Sequence, residues 1–344
     1  MSADPLSADA GRYATRVDAP GAPIPALRVE YVAGTPADAL SDPCTLAVLG
    51  FGRDAGRHDD PRALSVPLQP LHAAPLEVWR VRGRVEHGRD GPVRWATDGA
   101  LLFGAIEIAE ATAGGILAAA EQAYQALHAS LQRHRFPYPL RIWNYLDAIT
   151  EGDGDLERYR QFCVGRARGL GGFEVGQLPA ATAIGCRDGR RVLHVYWLAA
   201  RAPGTPLENP RQLSAYRYPR QYGPQSPSFA RAMLPPPGSD MPLLLSGTAS
   251  VVGHETRHAG DLAAQLDETF ANFDSLLGEA HRRRPDLPQA FGPGSRLKVY
   301  LSETAALASV EAALERLAPA APKVLLQADI CRRDLHIEID GVHS

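Results

Sequence analysis

The stretch SGTASVVGHETRHAGDLAAQLDETFANF, residues 246–273, decides how this chain is read. Inside it lies HETRH (254–258), a match to the H-E-x-x-H pattern of zinc peptidases. That pattern works on a helix, where two histidines four apart face one metal and the glutamate polarises its water. Here Gly253 and Gly260 flank the five residues, and the segment between them is almost free of apolar side chains. Helical spacing starts only afterwards, with Leu262, Leu266, Phe270, Phe273 and Leu277. No third ligand follows at a metzincin spacing. The expected order is a strand (243–251), a solvated loop and a long helix, with no metal site.

Working outward, LKVYLSET (297–304) reads as a strand, and Leu307, Val310, Leu314 and Leu317 mark a second helix. PKVLLQADI (322–330) and LHIEIDGV (335–342) read as two closing strands joined at CRRD. The same order occurs upstream. LLFGAIEIA (101–109) is a strand, Ile116, Ala120, Ala123, Tyr124 and Leu127 mark a helix, and LRIWNYLDAI (140–149) is a strand. A helix over 155–170, with Asp155 as its N-cap, precedes strands at 179–186 and 191–199. Leu102 and Leu245 are 143 positions apart, and so are Pro179 and Pro322. Leu140 and Leu297 are 157 apart, so insertions break the register in between. Equal offsets at both ends point to a diverged duplication.

The chain has 344 residues, 45% hydrophobic and 22% charged, with a net charge of −3 and both signs interspersed. These values fit a folded protein with no basic tract for nucleic acid. The first two dozen residues are small, polar and Pro-rich, which predicts poor order and no signal peptide. No apolar run is long enough to span a membrane. Cys44, Cys163, Cys186 and Cys331 are isolated, as expected of a cytoplasmic protein with free thiols.

Residues 246–273, together with YGPQSPSFARA (222–232) and IEID (337–340), resemble the RidA-like (YjgF) reactive-intermediate deaminases. That resemblance implies an α/β (α+β) fold of tandem modules, each a mixed sheet with two helices packed on one face. The expected division is 1–75 as an N-terminal extension with leading strands, 76–202 as a degenerate first module, and 203–344 as a Pro-rich loop plus the catalytic module. RidA-like proteins normally trimerise; two modules per chain leave a monomer or a homotrimer open. A narrower resemblance is carried by PYPLRIWNYLDAI, ERYRQFCVGRARGL, PAATAIG, SPSFARA, SGTASVVGHE and QADICRRDLHIEIDG. Together these are similar to the chorismatases, which cleave chorismate to pyruvate and a ring product without a cofactor.

Chorismate carries two carboxylates, and arginine forks suit carboxylates. On helix 155–170, Arg160 and Arg166 border the apolar face, where such residues equally well carry their charge to solvent. Arg231 is a third candidate. Tyr216, Tyr218 and Tyr222 lie in a Pro-rich segment (203–242) and either line a pocket or pack a junction. Tyr145, like Asn144 beside it, reaches the site or serves the fold. On LHIEIDG, His336, Glu338 and Asp340 share one strand face. At the offset of 143, Glu338 corresponds to Val195, so the second copy holds a carboxylate where the first is apolar. The chorismatase resemblance implies that this glutamate is the acid that protonates the enolpyruvyl carbon. It also implies a product choice tracked by two small positions. Gly247 and Cys331 match the type that forms 3-hydroxybenzoate, with or without 4-hydroxybenzoate, rather than a diol. Lys323 stands where RidA-like deaminases place their substrate-binding arginine, which counts against imine deamination. That deaminase activity and a non-catalytic ligand-binding role are the competing readings.

Overall fold

The computed structural model describes residues 24–344 except 53–54, 56–57 and 172–174. Residues 1–23, for which poor order is expected, lie outside the described residues. The N-terminal part contains β1 (Arg28–Val32), α1 (Pro36–Leu40), β2 (Thr45–Phe51), β3 (Ala63–Val66), β4 (Gln69–Pro70) and β5 (Leu76–Arg80). Four of these strands form a sheet in the order β1-β5-β2-β3. A boundary at residue 76 would assign β5 to the first repeat, but β5 bonds to β1 and β2 instead.

The first repeat runs β6 (Glu86–Asp90), β7 (Val93–Thr97), β8 (Leu101–Ala109), α2 (Glu110–Ala113), α3 (Ile116–His134), β9 (Tyr138–Asp147), α4 (Arg158–Leu170), β10 (Ala180–Cys186) and β11 (Val192–Ala200). The second runs β12 (Thr205–Leu207), β13 (Ala232–Leu234), β14 (Leu243–Ala249), β15 (Val251–Val252), β16 (Glu255–Thr256), α5 (Leu262–Arg283), β17 (Arg296–Leu301), α6 (Leu307–Leu317), β18 (Lys323–Gln327) and β19 (Ile337–His343). Their sheets are ordered β10-β9-β11-β8-β7-β6 and β12-β13-β14-β19-β17-β18-β4. Read in opposite directions and leaving out β4, the two orders coincide. Each sheet has one parallel pair, β9 with β10 and β17 with β18, in an otherwise antiparallel arrangement. Each repeat is thus a mixed sheet with two main helices, as the fold-level resemblance implies.

Local chemistry sets the helices. Asp261 caps α5 by accepting from the Ala264 amide at 3.0 Å, and Leu266, Phe270, Phe273 and Leu277 form its buried face. The helix expected over 155–170 starts later, at Arg158. Asp155 sits in a preceding 3₁₀ turn and pairs with Arg220, a partner 65 residues away that no local pattern reveals. Gly165 and Gly169 face the α3 backbone at Leu117 and Glu121, with no room for a Cβ, so the two helices approach closely.

Three large buried clusters organise the interior, beside a small one of Ala39, Val48 and Val78. One lies between the first sheet and α3/α4, a second between the second sheet and α5/α6. The third gathers the inward faces of all three sheets, including Leu46 and Trp79 from the N-terminal sheet, Trp143 and Tyr196, and Tyr300 and Leu326. The N-terminal sheet therefore closes the side that the two repeats leave open. Among the described residues, no helix is long and apolar enough to cross a membrane.

Candidate active site

The HETRH residues form no helix. Glu255 and Thr256 make β16, paired with β15 in a small hairpin, and His258 has a φ of 58°. His254 Nδ1 lies 3.2 Å from the Tyr222 hydroxyl, while His258 faces Glu268. The two histidines serve different neighbours, as a loop would have them do.

The SGT run has a structural job that its sequence does not advertise. β14 loses its register with β19 between Leu245 and Thr248, which marks a bulge at Ser246 and Gly247. There the second sheet meets β10, the edge of the first. Ser246 Oγ accepts from the Ala181 amide at 2.9 Å and donates to the Ala230 carbonyl at 2.5 Å. The Gly247 amide donates to Thr182 Oγ1 at 3.0 Å. Beside this junction stands Glu338, only 6% exposed. A methyl at position 247 would overlap the Glu338 carboxylate outright, so glycine makes the space this side chain occupies. Among the described residues no hydrogen bond reaches that carboxylate. Burial, reinforced by the negative charge of Asp340, pushes its pKa up to about 8, against the pull of Arg141, Arg231 and Arg332. At neutral pH it is a carboxylic acid.

Glu338 faces a cavity of about 450 Å³ between the repeats. Arg160 and Arg166 enter from α4, Arg231 from the segment before β13, and Cys331, Arg332 and Arg333 from the CRRD turn. Tyr218, Tyr222 and Phe229 supply an aromatic wall. Arg166 donates to the Ser228 carbonyl at 2.7 Å, and Arg231 to the Leu213 carbonyl at 2.9 Å and the Tyr218 hydroxyl at 2.8 Å. The Nε of each is buried without a partner. With Glu338 neutral, these five arginines face three lining carboxylates, Glu157, Glu255 and Asp334, leaving a surplus of two positive charges. Such a cavity suits a small dianion with an apolar ring. Cys331 is half-buried at the wall, and burial raises its thiol pKa, so it acts as a neutral, compact group rather than a thiolate.

Two expected site residues lie elsewhere. Tyr145 is fully buried in the central core, 3.1 Å from the Tyr196 hydroxyl and 3.2 Å from that of Tyr300. Successive strand residues point to opposite faces, and it is Asn144 that lines the cavity. Tyr216 stacks with Arg217 outside the lining. Lys323 is also outside it, donating to the Ala318 carbonyl at 3.1 Å.

The pairing of Glu338 with Val195 also fails, by one residue. Leu102 pairs with Ala199 and Leu245 with Gly341, so β8 and β14 are offset by 143 but β11 and β19 by 142. A one-residue slip turns every side chain to the other face. Val195 packs against the helices, whereas Glu338 faces inward, as its true counterpart Tyr196 does. Asp340 then corresponds to Leu198. The first copy still lacks both acids.

Sequence reading passed over Arg332, Thr182 and Asp340. Arg332 lies 4.2 Å over the Tyr222 ring and 5.2 Å over that of Tyr218, tying the CRRD turn to the Pro-rich segment. Its only signal was adjacency to Cys331.

Residues 77–199 match the family model described as "Chorismatase FkbO/Hyg5-like, N-terminal". The chain is 39% identical over 276 residues to a chorismatase of Streptomyces rapamycinicus, covering 77% of this chain and 81% of that one. It is 33% identical over 347 residues to a chorismatase of Streptomyces hygroscopicus, covering 97% and 99%. It is 35% identical over 277 residues to a 3-hydroxybenzoate synthase of the same species, covering 77% and 80%. A chorismatase crystal structure superposes with a TM-score of 0.80 at 32% identity, covering 93% of this chain and 98% of that one.

Proposed function

The chain belongs to the chorismatase family, and from that premise we propose that it cleaves the enolpyruvyl ether of chorismate to pyruvate and 3-hydroxybenzoate, alone or with 4-hydroxybenzoate. The observation that carries this reading is Glu338, a buried carboxyl held neutral at the wall of an arginine-rich cavity. Enol-ether cleavage needs a proton on the methylene carbon, and a carboxylic acid with a pKa near 8 retains one at neutral pH.

The arginines bind the two carboxylates of the substrate, with Arg166 and Arg231 best placed because each is buried and incompletely bonded. Tyr218, Tyr222 and Phe229 pack against the ring. Glu338 delivers its proton to the methylene carbon, and positive charge develops at the ether-bearing carbon. The neighbouring ring hydroxyl adds to that centre and gives up its proton, and the original ether oxygen leaves the centre and takes a proton as the ring hydroxyl of the product. The ring carbon–oxygen bond of the migrated ether then breaks, its oxygen departing as the ketone of pyruvate, while loss of a ring proton to solvent restores aromaticity and Glu338 takes a proton back. The sum is chorismate to pyruvate plus hydroxybenzoate, with no water consumed. Capture by water instead gives pyruvate and the diol. Gly247 and Cys331 shape the space between ring and acid, and so bias this choice. The free thiols suit a cytoplasmic enzyme.

Pyruvate release from chorismate, coupled to lactate dehydrogenase and followed by product chromatography, tests the proposal. Stoichiometric pyruvate with 3-hydroxybenzoate is expected. Ammonia release from a dehydroamino acid with no action on chorismate would favour the deaminase reading instead.

A further inference from the structure

Glu338 shares its strand face with a second acid, Asp340, and the two are unlike in every contact. Asp340 is fully buried. Its Oδ2 accepts four hydrogen bonds: from Arg141 at 3.0 Å, Trp143 Nε1 at 3.1 Å, Thr182 Oγ1 at 2.7 Å and the Tyr300 hydroxyl at 3.0 Å. Its Oδ1 is buried without a hydrogen bond, 3.8 Å from Lys298 Nζ. Two cations thus face Asp340, Arg141 and Lys298, whereas Glu338 has no ion pair of its own among the described residues.

The repeats show how this arrangement arose. Arg141 pairs with Leu198 across β9 and β11, and Lys298 pairs with Asp340 across β17 and β19. The two cations are therefore equivalent positions, and both converge on the single acid that the second repeat supplies. Lys298 is shared with Glu77 of the N-terminal sheet, at 3.3 Å. A fold-only role would be met by the apolar residue that the first repeat uses there. Asp340 also reaches the site through a single residue: Thr182 Oγ1, its donor, accepts from the amide of Gly247, the residue that seats the Glu338 carboxyl.

We propose, on the footing of the chorismate-cleaving reading, that Asp340 is a positioning residue which keeps Glu338 in its acid form. Its fixed negative charge, two residues along the strand and roughly 7 Å away, opposes ionisation of Glu338. Through Thr182 it also holds the bulge against which that carboxyl rests. The groups facing the pair are Arg141 from β9, Lys298, Tyr300, Tyr145 and Tyr196 from the inner faces of the sheets, Tyr31 from β1 and Glu77 from β5, and Arg231, Arg332, Cys331 and Tyr159 from the cavity side. Burial is the largest influence that keeps Glu338 protonated; Asp340 adds to it, and Arg141, Arg231 and Arg332 oppose both.

The test is the alkaline limb of kcat/KM with chorismate. In Asp340→Asn the amide oxygen can accept the four Oδ2 bonds while its NH2 replaces the unbonded Oδ1, so the change removes charge with little change of shape. The limb should move to lower pH by about one unit or more, with the rate recovering below it. Lys298→Gln, which strips a counter-charge from Asp340, should move the limb the other way, and it keeps the test open if the first variant does not fold. A uniform loss with an unmoved limb, or a Lys298→Gln shift toward acid, overturns the proposal while an inactive Glu338→Gln leaves the functional reading intact. An active Glu338→Gln that keeps the wild-type limb overturns both.

Discussion

Gly247→Ala is the most informative single substitution at the product-determining wall. A Cβ there would stand 2.9 Å from the Glu338 carboxyl carbon and 3.3 Å from Thr182 Cγ2, and would overlap Glu338 Oε1. Carbon–carbon contacts are comfortable at roughly 3.5–4.0 Å. The Glu338 carboxyl must therefore retreat by about 1 Å, because Thr182 is held by hydrogen bonds to Asp340 and from Arg141. Misplacement of a reacting group by 1 Å costs on the order of a hundredfold. Flux to 3-hydroxybenzoate should fall by that order, while water, admitted between acid and ring, raises the share of the diol. Cys331→Ala should move the mixture in the same direction without displacing Glu338, and so with a smaller loss of rate. The assay is chromatography of the chorismate reaction at matched pyruvate yield. An unchanged ratio of aromatic product to diol in Gly247→Ala would refute this account of position 247.

Other perturbations address the rest of the site. With the acid form of Glu338 required, kcat/KM should be level at neutral pH and fall as pH rises through about 8; the dianionic substrate should push the corresponding limb of kcat higher still. The same group sets a stability slope. Its folded pKa lies above the ordinary 4.5, so stability falls as pH rises from 4.5 to about 8, by at most about 5 kcal/mol. Glu338→Gln lacks this term, and urea melts of the two proteins should diverge across that window; parallel curves would count against the shift. Arg231→Ala should raise KM, with a loss of roughly 1.5–3 kcal/mol for a charged hydrogen bond, and unchanged kinetics would exclude it from binding. Prolonged EDTA treatment should leave activity intact, and His254→Ala should be mild, since Arg332 bonds the His254 backbone carbonyl rather than its ring. Stoichiometric zinc whose removal abolishes turnover would overturn the loop reading of HETRH.

Much of the fold was legible because helix and strand periods are properties of local sequence. The apolar stripe of α5, its start at Leu262 and the repeated order of elements could all be read directly. What failed depended on register or on distant partners. The turn between the last two strands differs between the copies, CRDGR against CRRD, and shifted Glu338 onto Val195 by one place. Tyr145 and Asn144 are neighbours in sequence, yet only the sheet decides which of them meets the cavity. Asp155 looked like a helix cap until Arg220 took its carboxylate. The N-terminal sheet was hidden because its strands are short and pair out of order. Asp340 stood in plain view beside Glu338, but Arg141 and Lys298, which give it meaning, come from strands 199 and 42 positions away.

The most direct test of the central claim is turnover of chorismate in deuterium oxide by wild-type and Glu338→Gln protein, with pyruvate trapped as lactate as it forms. The wild-type enzyme should deliver one solvent deuteron to the methyl group of each pyruvate. Glu338→Gln should remain folded, bind chorismate and lose turnover by at least about a hundredfold. A Gln variant that releases labelled pyruvate at the wild-type rate would contradict the assignment of Glu338 as the acid.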